Sequence, residues 1–291
     1  MKKILLSLLI VIMLSGCAQL NLDVPSSSNN NEDSTPFTSN GDMIVAHFID
    51  VGQGDANFIE LPTGEVMLID AGTSGYGDDI VDYIQSLGYT DIDYVVATHP
   101  HADHIGGMAE VIESFDVGSI YMPKAVTTSK TYENLLETIQ DKNLSIHTGK
   151  EGVEVYSSDD LTIEMLAPVS SSYSNLNNYS IVLKITYGDV SFLYTGDAEE
   201  ENLSEITMDL SSDVLKVGHH GSDTSTTKEF LEGVSPSYAV ISVGEGNSYG
   251  HPAESTIKLL EEYTNNIYRT DLNGTVVISS DGVNIDVKSE R

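Results

Sequence analysis

Hydrophobic and polar positions alternate between strand-like and helix-like patterns from residue 43 onward. Apolar or alternating runs predict strands at 43–51, 56–61, 66–70, 92–97, 119–122, 145–147, 153–156, 161–167, 181–187, 190–194, 214–217, 238–243, 275–279 and 283–287. Positions with helical spacing predict helices at 79–87, 105–115, 131–140, 199–210 and 254–263. Strand pairs open each half of this alternation, so the pattern favours a four-layered α/β fold, an αββα sandwich.

The first 42 residues follow a different pattern. Residues 1–17 begin with two lysines, continue with an apolar run at 4–14, and end at Cys17. The run is too short to span a bilayer comfortably and predicts a secretory signal. Residues 18–42 are rich in Ser, Asn, Asp and Pro, which predicts a disordered tether. The globular domain is therefore expected over residues 43–291.

Cys17 ends a Leu-Ser-Gly-Cys string that resembles a bacterial lipoprotein box. This resemblance implies cleavage before Cys17 and attachment of lipid to that residue. The alternative is a plain signal peptide with a chance cysteine, which is disfavoured because the single cysteine of the chain occupies the required place. We expect an exported, outward-facing protein that is held at the cell membrane by its N-terminal lipid.

Composition adds two constraints. The chain of 291 residues is 40% hydrophobic, which suits a packed core, and its single cysteine excludes an internal disulfide framework. Its formal net charge is −32, so the surface repels polyanions at long range. A nucleic-acid substrate would therefore have to bind through metal ions and a local patch. No protein partner is indicated.

Three histidines and an aspartate lie within six residues, directly after the buried strand predicted at 92–97. In an extended segment, residues two apart face the same way, so His99 and His101 can reach one cation together. Asp103 and His104 follow the turn and can reach a neighbouring cation. Such a pattern predicts two divalent metal ions, with zinc expected and manganese possible. A polar surface loop is the alternative, which four candidate ligands at this spacing disfavour.

The His-x-His-x-Asp-His string at 99–104 resembles the signature of the metallo-β-lactamase superfamily of hydrolases. Four further segments are similar to the soluble hydrolase domain of ComEC-type competence proteins and their stand-alone relatives, namely 47–56, 68–72, 194–197 and 215–222. The motifs occur in the family's order. The resemblance implies the metallo-β-lactamase αββα sandwich, but a fold alone does not specify a substrate.

The resemblance also implies roles for two aspartates that end predicted strands. Asp197 would bridge the two metal ions, and Asp70 would support the metal loops through hydrogen bonds rather than ligating. A cap for the helix predicted at 199–210 is a second interpretation of Asp197, and the two roles are compatible.

One histidine that many superfamily members use for the first metal ion is missing from this sequence. No histidine lies between His147 and His219, where the family places it before the strand predicted at 181–187. Asn178 or Ser180 could help to fill this gap, although each is a weaker ligand than imidazole.

Adjacent histidines, His219 and His220, follow the strand predicted at 214–217. Neighbours at a strand end point in opposite directions, so one would ligate the second metal ion and the other would face the substrate. We assign His219 to the metal and His220 to acid/base chemistry, with the reverse assignment equally open. His251 is a candidate ligand of the second metal ion or acid for the leaving group, and Asp103 belongs to the catalytic set as well as the metal set.

These patterns predict a metal-dependent hydrolase that activates water between two cations. The resemblance points to phosphodiester bonds, either in DNA or another nucleic acid or in a cell-envelope polymer. The alternative is a surface-tethered binding protein with a degenerate metal site and little catalysis, which the missing histidine supports.

Overall fold

The computed structural model describes residues 42–291, and two β-sheets face each other within this range. The predicted signal at 1–17, and the predicted tether at 18–42 apart from Asp42, lie outside the described residues. Of the helices between residues 42 and 291, none has the length and apolar character needed to cross a bilayer.

The strands, in chain order, are β1 (Ile44–Phe48), β2 (Ala56–Glu60), β3 (Val66–Ala71), β4 (Asp91–Val96), β5 (Asp116–Met122), β6 (Ile146–Thr148), β7 (Val153–Ser157), β8 (Leu161–Ala167), β9 (Val182–Tyr187), β10 (Val190–Tyr194), β11 (Val214–Lys216), β12 (Tyr238–Ile241), β13 (Ile267–Arg269), β14 (Val276–Ser280) and β15 (Ile285–Ser289). The first sheet has the order β15-β14-β1-β2-β3-β4-β5-β6 and the second the order β13-β12-β11-β10-β9-β8-β7. The closing hairpin returns to the first sheet, where β14 pairs antiparallel with β1.

The helices are α1 (Gly77–Ser86), α2 (Ala102–Ile105), α3 (Met108–Ser114), α4 (Lys130–Asp141), α5 (Glu200–Leu203), α6 (Lys228–Val234), α7 (Glu254–Leu260) and α8 (Thr270–Asn273), with 3₁₀ turns at Leu176–Tyr179 and Gly218–Gly221. One apolar core fills the space between the two sheets, and it includes Phe48, Phe192 and Tyr194. Two further cores join the outer faces of the sheets to α1, α3 and α4 on one side and to α6 and α7 on the other. The four-layered αββα prediction is confirmed.

The helix predicted at 199–210 is wrong beyond its first turn, because α5 ends at Leu203. The residues that follow are rich in Ser and Asp, whose side chains bond to nearby backbone and compete with helix formation. Asp209, for example, accepts hydrogen bonds from both the backbone N–H and the hydroxyl of Ser211. The sequence patterns also missed α6 and β13, which are seven and three residues long.

The helix predicted at 105–115 corresponds to α3, and a separate helix, α2, ends at Ile105, with two glycines between the two helices. The backbone N–H of Gly106 donates to the carbonyl of Gly72, and that of Gly107 donates to the carbonyl of Ala71. A Cβ at Gly106 would lie 2.3 Å from the backbone nitrogen of Ser74, so only glycine permits this approach. The break places Asp103 and His104 inside a short helical turn instead of before the helix.

Loops at the carboxyl ends of β4, β10 and β11 meet at one edge of the sandwich. The backbone N–H of Ile181 donates to the carbonyl of Thr98 over 3.0 Å, which joins the loop after β4 to the second sheet. The backbone N–H of His219 donates to the carbonyl of Gly196 over 3.0 Å, which joins the loops after β11 and β10. Candidate ligands from both sheets therefore converge.

Candidate metal centre

Asp70 lies behind the histidine loop and holds it through three contacts. Its carboxylate accepts hydrogen bonds from the backbone N–H and the hydroxyl of Thr98, at 2.8 and 2.6 Å, and lies 2.7 Å from Nδ1 of His104. Because Nδ1 of His104 is engaged behind the loop, Nε2 faces the other candidate ligands. Carboxylates that contact the second ring nitrogen fix the orientation of metal-binding imidazoles in proteins. These contacts agree with the supporting role that the resemblance implies for Asp70.

One cluster contains Asp103, His104, Asp197 and His220, whose candidate ligand atoms all lie within 4.8 Å of one another. Nε2 of His104 is 3.1 Å from Oδ1 of Asp197, and Nε2 of His220 is 3.3 Å from Oδ2 of Asp103. Two imidazoles and two carboxylates at this spacing form a donor set that suits zinc or another divalent transition metal. We call this group the second subsite.

The other cluster contains His99, His101 and Asp197. We call this group the first subsite, because it corresponds to the first metal ion predicted from the sequence. Nε2 of His99 lies 2.9 Å from Nδ1 of His101 and 3.8 Å from Oδ2 of Asp197. Asp197 therefore offers one carboxylate oxygen to each subsite, which is the arrangement that a bridging ligand requires. Its side chain is almost fully buried at the end of β10.

Asn178 and Ser180 do not fill the gap left by the missing histidine, so that expectation is corrected. The Asn178 amide is committed elsewhere, because Nδ2 donates to Glu201 and Oδ1 accepts from the backbone N–H of Glu199. The Ser180 hydroxyl lies 3.2 Å from Nδ1 of His99, the ring atom that faces away from the cluster, and it accepts from the backbone N–H of Asp197. Ser180 therefore supports the candidate ligands His99 and Asp197 from behind, whereas Asn178 holds the segment that follows Asp197.

Of the two assignments left open for the adjacent histidines, the structure favours His220 as the candidate ligand. His220 is buried, and its Nδ1 lies 2.9 Å from the carbonyl oxygen of Ser242, so Nε2 faces the second subsite. His219 is 23% exposed and lies outside that cluster, with Nδ1 3.4 Å from Glu199 and Nε2 3.8 Å from Asp197. Both histidines have left-handed backbone, with φ of 49° and 54°. Simple strand alternation does not apply to such a turn.

Three buried side-chain atoms of the site lack hydrogen-bond partners in the described region, and this indicates whether a metal ion fits there. Nε2 of His104, Oδ1 of Asp197 and Nε2 of His220 have no hydrogen-bond partner among residues 42–291, although all three are excluded from solvent. Buried polar atoms are nearly always paired, so three convergent orphans indicate a missing partner. A cation at the second subsite would satisfy all three, and the residues therefore fit a divalent metal ion.

Without a cation, protons take its place in the second subsite. Burial lowers the pKa of His220, but the carboxylates of Asp197 and Asp103 outweigh burial and raise it to about 10. Burial likewise opposes protonation of His104, and Asp197 and Asp70 raise its pKa well above the usual range. The metal-free site therefore holds protons that a metal ion must displace, which makes metal binding dependent on pH.

We expect the metal-free protein to lose stability as pH rises from about 6.5 to 9. A histidine whose pKa is higher in the folded state stabilises the fold fully below its unfolded-state pKa, about 6.5, and this contribution is lost as pH rises toward the folded-state value of about 10. The melting temperature in the presence of a chelator should fall by about 5–10 °C over that interval. Saturating zinc should flatten the profile, and an equally steep fall with zinc present would contradict the assignment.

A buried ion pair lies behind His220 and was not singled out from the sequence. Nζ of Lys216 is 2.7 Å from Oδ2 of Asp55, and both side chains are 1% exposed. Oδ1 of Asp55 is 3.3 Å from Nδ1 of His220, so this carboxylate joins the lysine to the second subsite. Burial raises the pKa of Asp55, but Lys216 and His220 outweigh it and lower the pKa to about 2. A lysine inside the apolar run of β11 was the available signal.

A cavity of about 310 Å³ opens over both subsites. His219, His251, Asn177, Gln53 and Tyr249 line it together with residues of the clusters. His251 belongs to neither cluster, and its Nδ1 is buried without a hydrogen-bond partner in the described part of the chain. Burial and the neighbouring His219 and His220 lower the pKa of His251. This histidine is therefore placed at the cavity wall, where it can contact a bound molecule.

The αββα sandwich and the two His/Asp subsites that share one carboxylate place the protein in the class of metal-dependent hydrolases. A profile described as the metallo-beta-lactamase superfamily matches residues 49–245, which is more than half of the chain. The chain belongs to the metallo-β-lactamase superfamily. The resemblance inferred from the motifs is thereby confirmed.

Similar proteins include three with names linked to competence or recombination. The chain is 32% identical to ComE operon protein 3 of Bacillus subtilis over 248 residues, 78% of this chain and 32% of that protein. It is 30% identical to competence protein ComA of Neisseria gonorrhoeae over 232 residues, 78% of this chain and 31% of that protein. It is 28% identical to recombination protein 2 of Haemophilus influenzae over 249 residues, 84% of this chain and 30% of that protein. The chain thus spans about a third of the length of these relatives.

Among solved structures, the diiron β-hydroxylase CmlA from Streptomyces venezuelae has a similar fold. The TM-score is 0.51 at 14% sequence identity, over 81% of this chain and 53% of that one. At this identity the likeness concerns the fold alone.

Proposed function

We propose that the protein is a phosphodiesterase that uses two divalent metal ions, most simply zinc, and that it is exported and anchored at the cell membrane through lipid on Cys17. The observation that carries the hydrolytic part is the position of Asp197, whose two oxygens face the two subsites. Phosphodiester cleavage requires charge stabilisation on both the attacking and the leaving oxygen, and a pair of cations held side by side meets this requirement.

Metal ions held by these residues would lower the pKa of bound water and supply positive charge for the reacting phosphate. The residues of the chain supply the geometry. Asp197 holds the two subsites in register, and Asp103 contributes to the wall of the cavity as well as to the second subsite. Burial of His99, His104 and His220 keeps bulk solvent away from the ligands, which strengthens every charge interaction there.

His219 is the side chain we assign to proton transfer toward the leaving group. It lines the cavity, and its Nδ1 lies 3.4 Å from Oε1 of Glu199 and 3.3 Å from the Thr224 hydroxyl. The contacts at Nδ1 orient the imidazole, so that Nε2 is available for proton transfer. His251 lies beside it, with ring centroids 5.4 Å apart, and is the second candidate.

Nucleic acid is the first substrate to test, because the similar proteins carry names linked to competence and recombination. A cell-envelope phosphodiester is the second, because a membrane-anchored protein that faces outward would meet such polymers. The net charge of −32 implies that a polyanion would bind only at the metal centre and its immediate surroundings.

The proposal is tested by metal analysis combined with a phosphodiesterase assay on the purified protein. We expect close to two zinc or manganese ions per chain and metal-dependent hydrolysis of bis-p-nitrophenyl phosphate. His101→Ala should abolish turnover, because it removes one of the two imidazoles of the first subsite. His147→Ala is the matched control, since His147 lies in β6, away from the cavity, and this variant should retain full activity.

A surface-tethered binding protein is the alternative, and the composition of the first subsite favours it. That cluster holds two imidazoles and the shared carboxylate, and the side chains suggested for the gap point elsewhere. A protein that binds no zinc or manganese and leaves bis-p-nitrophenyl phosphate intact would overturn the enzymatic proposal in favour of this one.

A further inference from the structure

An exposed aromatic side chain, Tyr249, lies at the mouth of the cavity over the metal subsites. Its side chain is 68% exposed, whereas most large apolar side chains of the described region are buried. It lines the same cavity as Asp103, Asp197 and His220. An exposed aromatic ring at the entrance of a reactive site is suited to contact a substrate, because a flat ring offers a large apolar surface at little cost in conformational freedom.

The ring of Tyr249 lies beside a second ring, at a small angle to it. Its centroid lies 5.9 Å from that of His251, and the two planes are inclined by 25°. His251 in turn meets His219 edge to face, with centroids 5.4 Å apart. Three rings therefore run from the metal centre to the solvent. A flat group that stacks on Tyr249 would continue this row at the outer end.

The loop that carries Tyr249 is fixed by the side chain of Asn247. Oδ1 of Asn247 accepts hydrogen bonds from the backbone N–H groups of Tyr249 and His251, both at 3.1 Å. Nδ2 of Asn247 donates to the carbonyl oxygens of Gly244 and His251, at 3.0 and 2.6 Å. All four contacts lie within one short loop, so the backbone at Tyr249 is ordered before any ligand arrives.

Charge gives a second reason to expect stacking at this site. No lysine or arginine lines the cavity within the described residues, and its lining includes the carboxylates of Asp103 and Asp197. Side-chain cations therefore cannot supply the affinity for a phosphodiester next to the metal ions. Stacking of a base on an aromatic side chain contributes affinity that does not depend on charge.

We propose that Tyr249, backed by His251, forms a subsite for a nucleobase or a similarly flat aromatic group attached to the scissile phosphodiester. This inference rests on the proposed phosphodiesterase function and narrows its substrates to esters that carry such a group near the reacting phosphate. Tyr249 contacts the base in this arrangement and takes no part in proton transfer.

Two ligands that differ only in the base test the subsite without turnover. Calorimetry on the zinc-loaded protein would compare thymidine 5′-monophosphate with 2-deoxyribose 5-phosphate. We expect the nucleotide to bind about tenfold more tightly, and Tyr249→Ala to remove this difference while leaving the sugar phosphate unaffected. Tyr249→Phe should retain the preference, and Tyr249→Leu, which keeps apolar bulk but lacks a ring, should lose most of it.

Equal binding of the two ligands by the unaltered protein would overturn the subsite, as would a preference that survives in Tyr249→Ala. Hydrolysis of dithymidine monophosphate provides the second measurement, and Tyr249→Ala should raise KM about tenfold with little change in kcat. A protein that prefers the nucleotide through Tyr249 but hydrolyses no phosphodiester would refute the proposed function and leave the subsite standing. A protein that hydrolyses phosphodiesters independently of Tyr249 would refute the subsite and leave the proposed function standing.

Discussion

Asp197→Asn should empty both metal subsites and reduce phosphodiester turnover by at least about a thousandfold. The side chain places Oδ1 3.1 Å from Nε2 of His104 and Oδ2 3.8 Å from Nε2 of His99, so one substitution affects both clusters. Asparagine has nearly the same shape, which preserves the packing at the end of β10. Metal content and the rate of bis-p-nitrophenyl phosphate hydrolysis measure the effect, and circular dichroism monitors the fold.

The control for this variant is Asp286→Asn, which removes an exposed carboxylate from β15. It changes the net charge of the protein by the same amount and should leave metal content and rate unchanged. An Asp197→Asn protein that still binds two metal ions, or that keeps its rate, would refute the bridging role. An unfolded Asp197→Asn protein would indicate instead that the carboxylate is needed for folding.

Lys216→Met should destabilise the fold by about 3–5 kcal/mol, because it leaves the buried carboxylate of Asp55 without its partner. The two charged groups are 2.7 Å apart and almost completely inaccessible to solvent. We also expect zinc affinity to fall about 10- to 100-fold. Without Lys216, the carboxylate of Asp55 would no longer be held in place beside the ring of His220. Denaturant unfolding with chelator present and competitive zinc titration provide the two measurements.

The double variant Asp55→Asn/Lys216→Met separates these two effects. Removing both charges eliminates the unpaired carboxylate, so part of the lost stability should return. Zinc affinity should remain low, because the partner of His220 has changed. Lys216→Met with wild-type stability would contradict the ion pair as the structure describes it, and recovery of zinc affinity in the double variant would contradict the link to His220.

The layers of the fold were predictable because they depend on short-range pattern. The strand β4 is offset by one residue from the predicted range 92–97, and β11 lies within the predicted range 214–217, since their apolar runs are bounded by loops on both sides. The predicted helix at 199–210 failed because propensity favoured a helix, whereas the Ser and Asp side chains around Asp209 bond to the local backbone. Competition of this kind is decided by side-chain geometry that the sequence does not display.

Parts of the candidate site could be identified only from the folded structure. The spacing of the residues at 99–104 suffices to suggest a metal site, because the four candidate ligands lie within six consecutive residues. The relative places of His219 and His220 do not follow from spacing, because both have left-handed backbone. The Asp55–Lys216 pair joins residues far apart in the chain, and neither residue type identifies the other as its partner.

The sharing of Asp197 between the two subsites determines the order of folding and metal binding. His99 to His104 leave the first sheet, whereas Asp197 and His220 leave the second, and the apolar core between the sheets brings these loops together. An unfolded chain therefore offers only the short cluster around His99, without the bridging oxygen atoms. Loading of a complete metal pair has to follow packing of the two sheets, and an exported chain would acquire it in the compartment where it finishes folding.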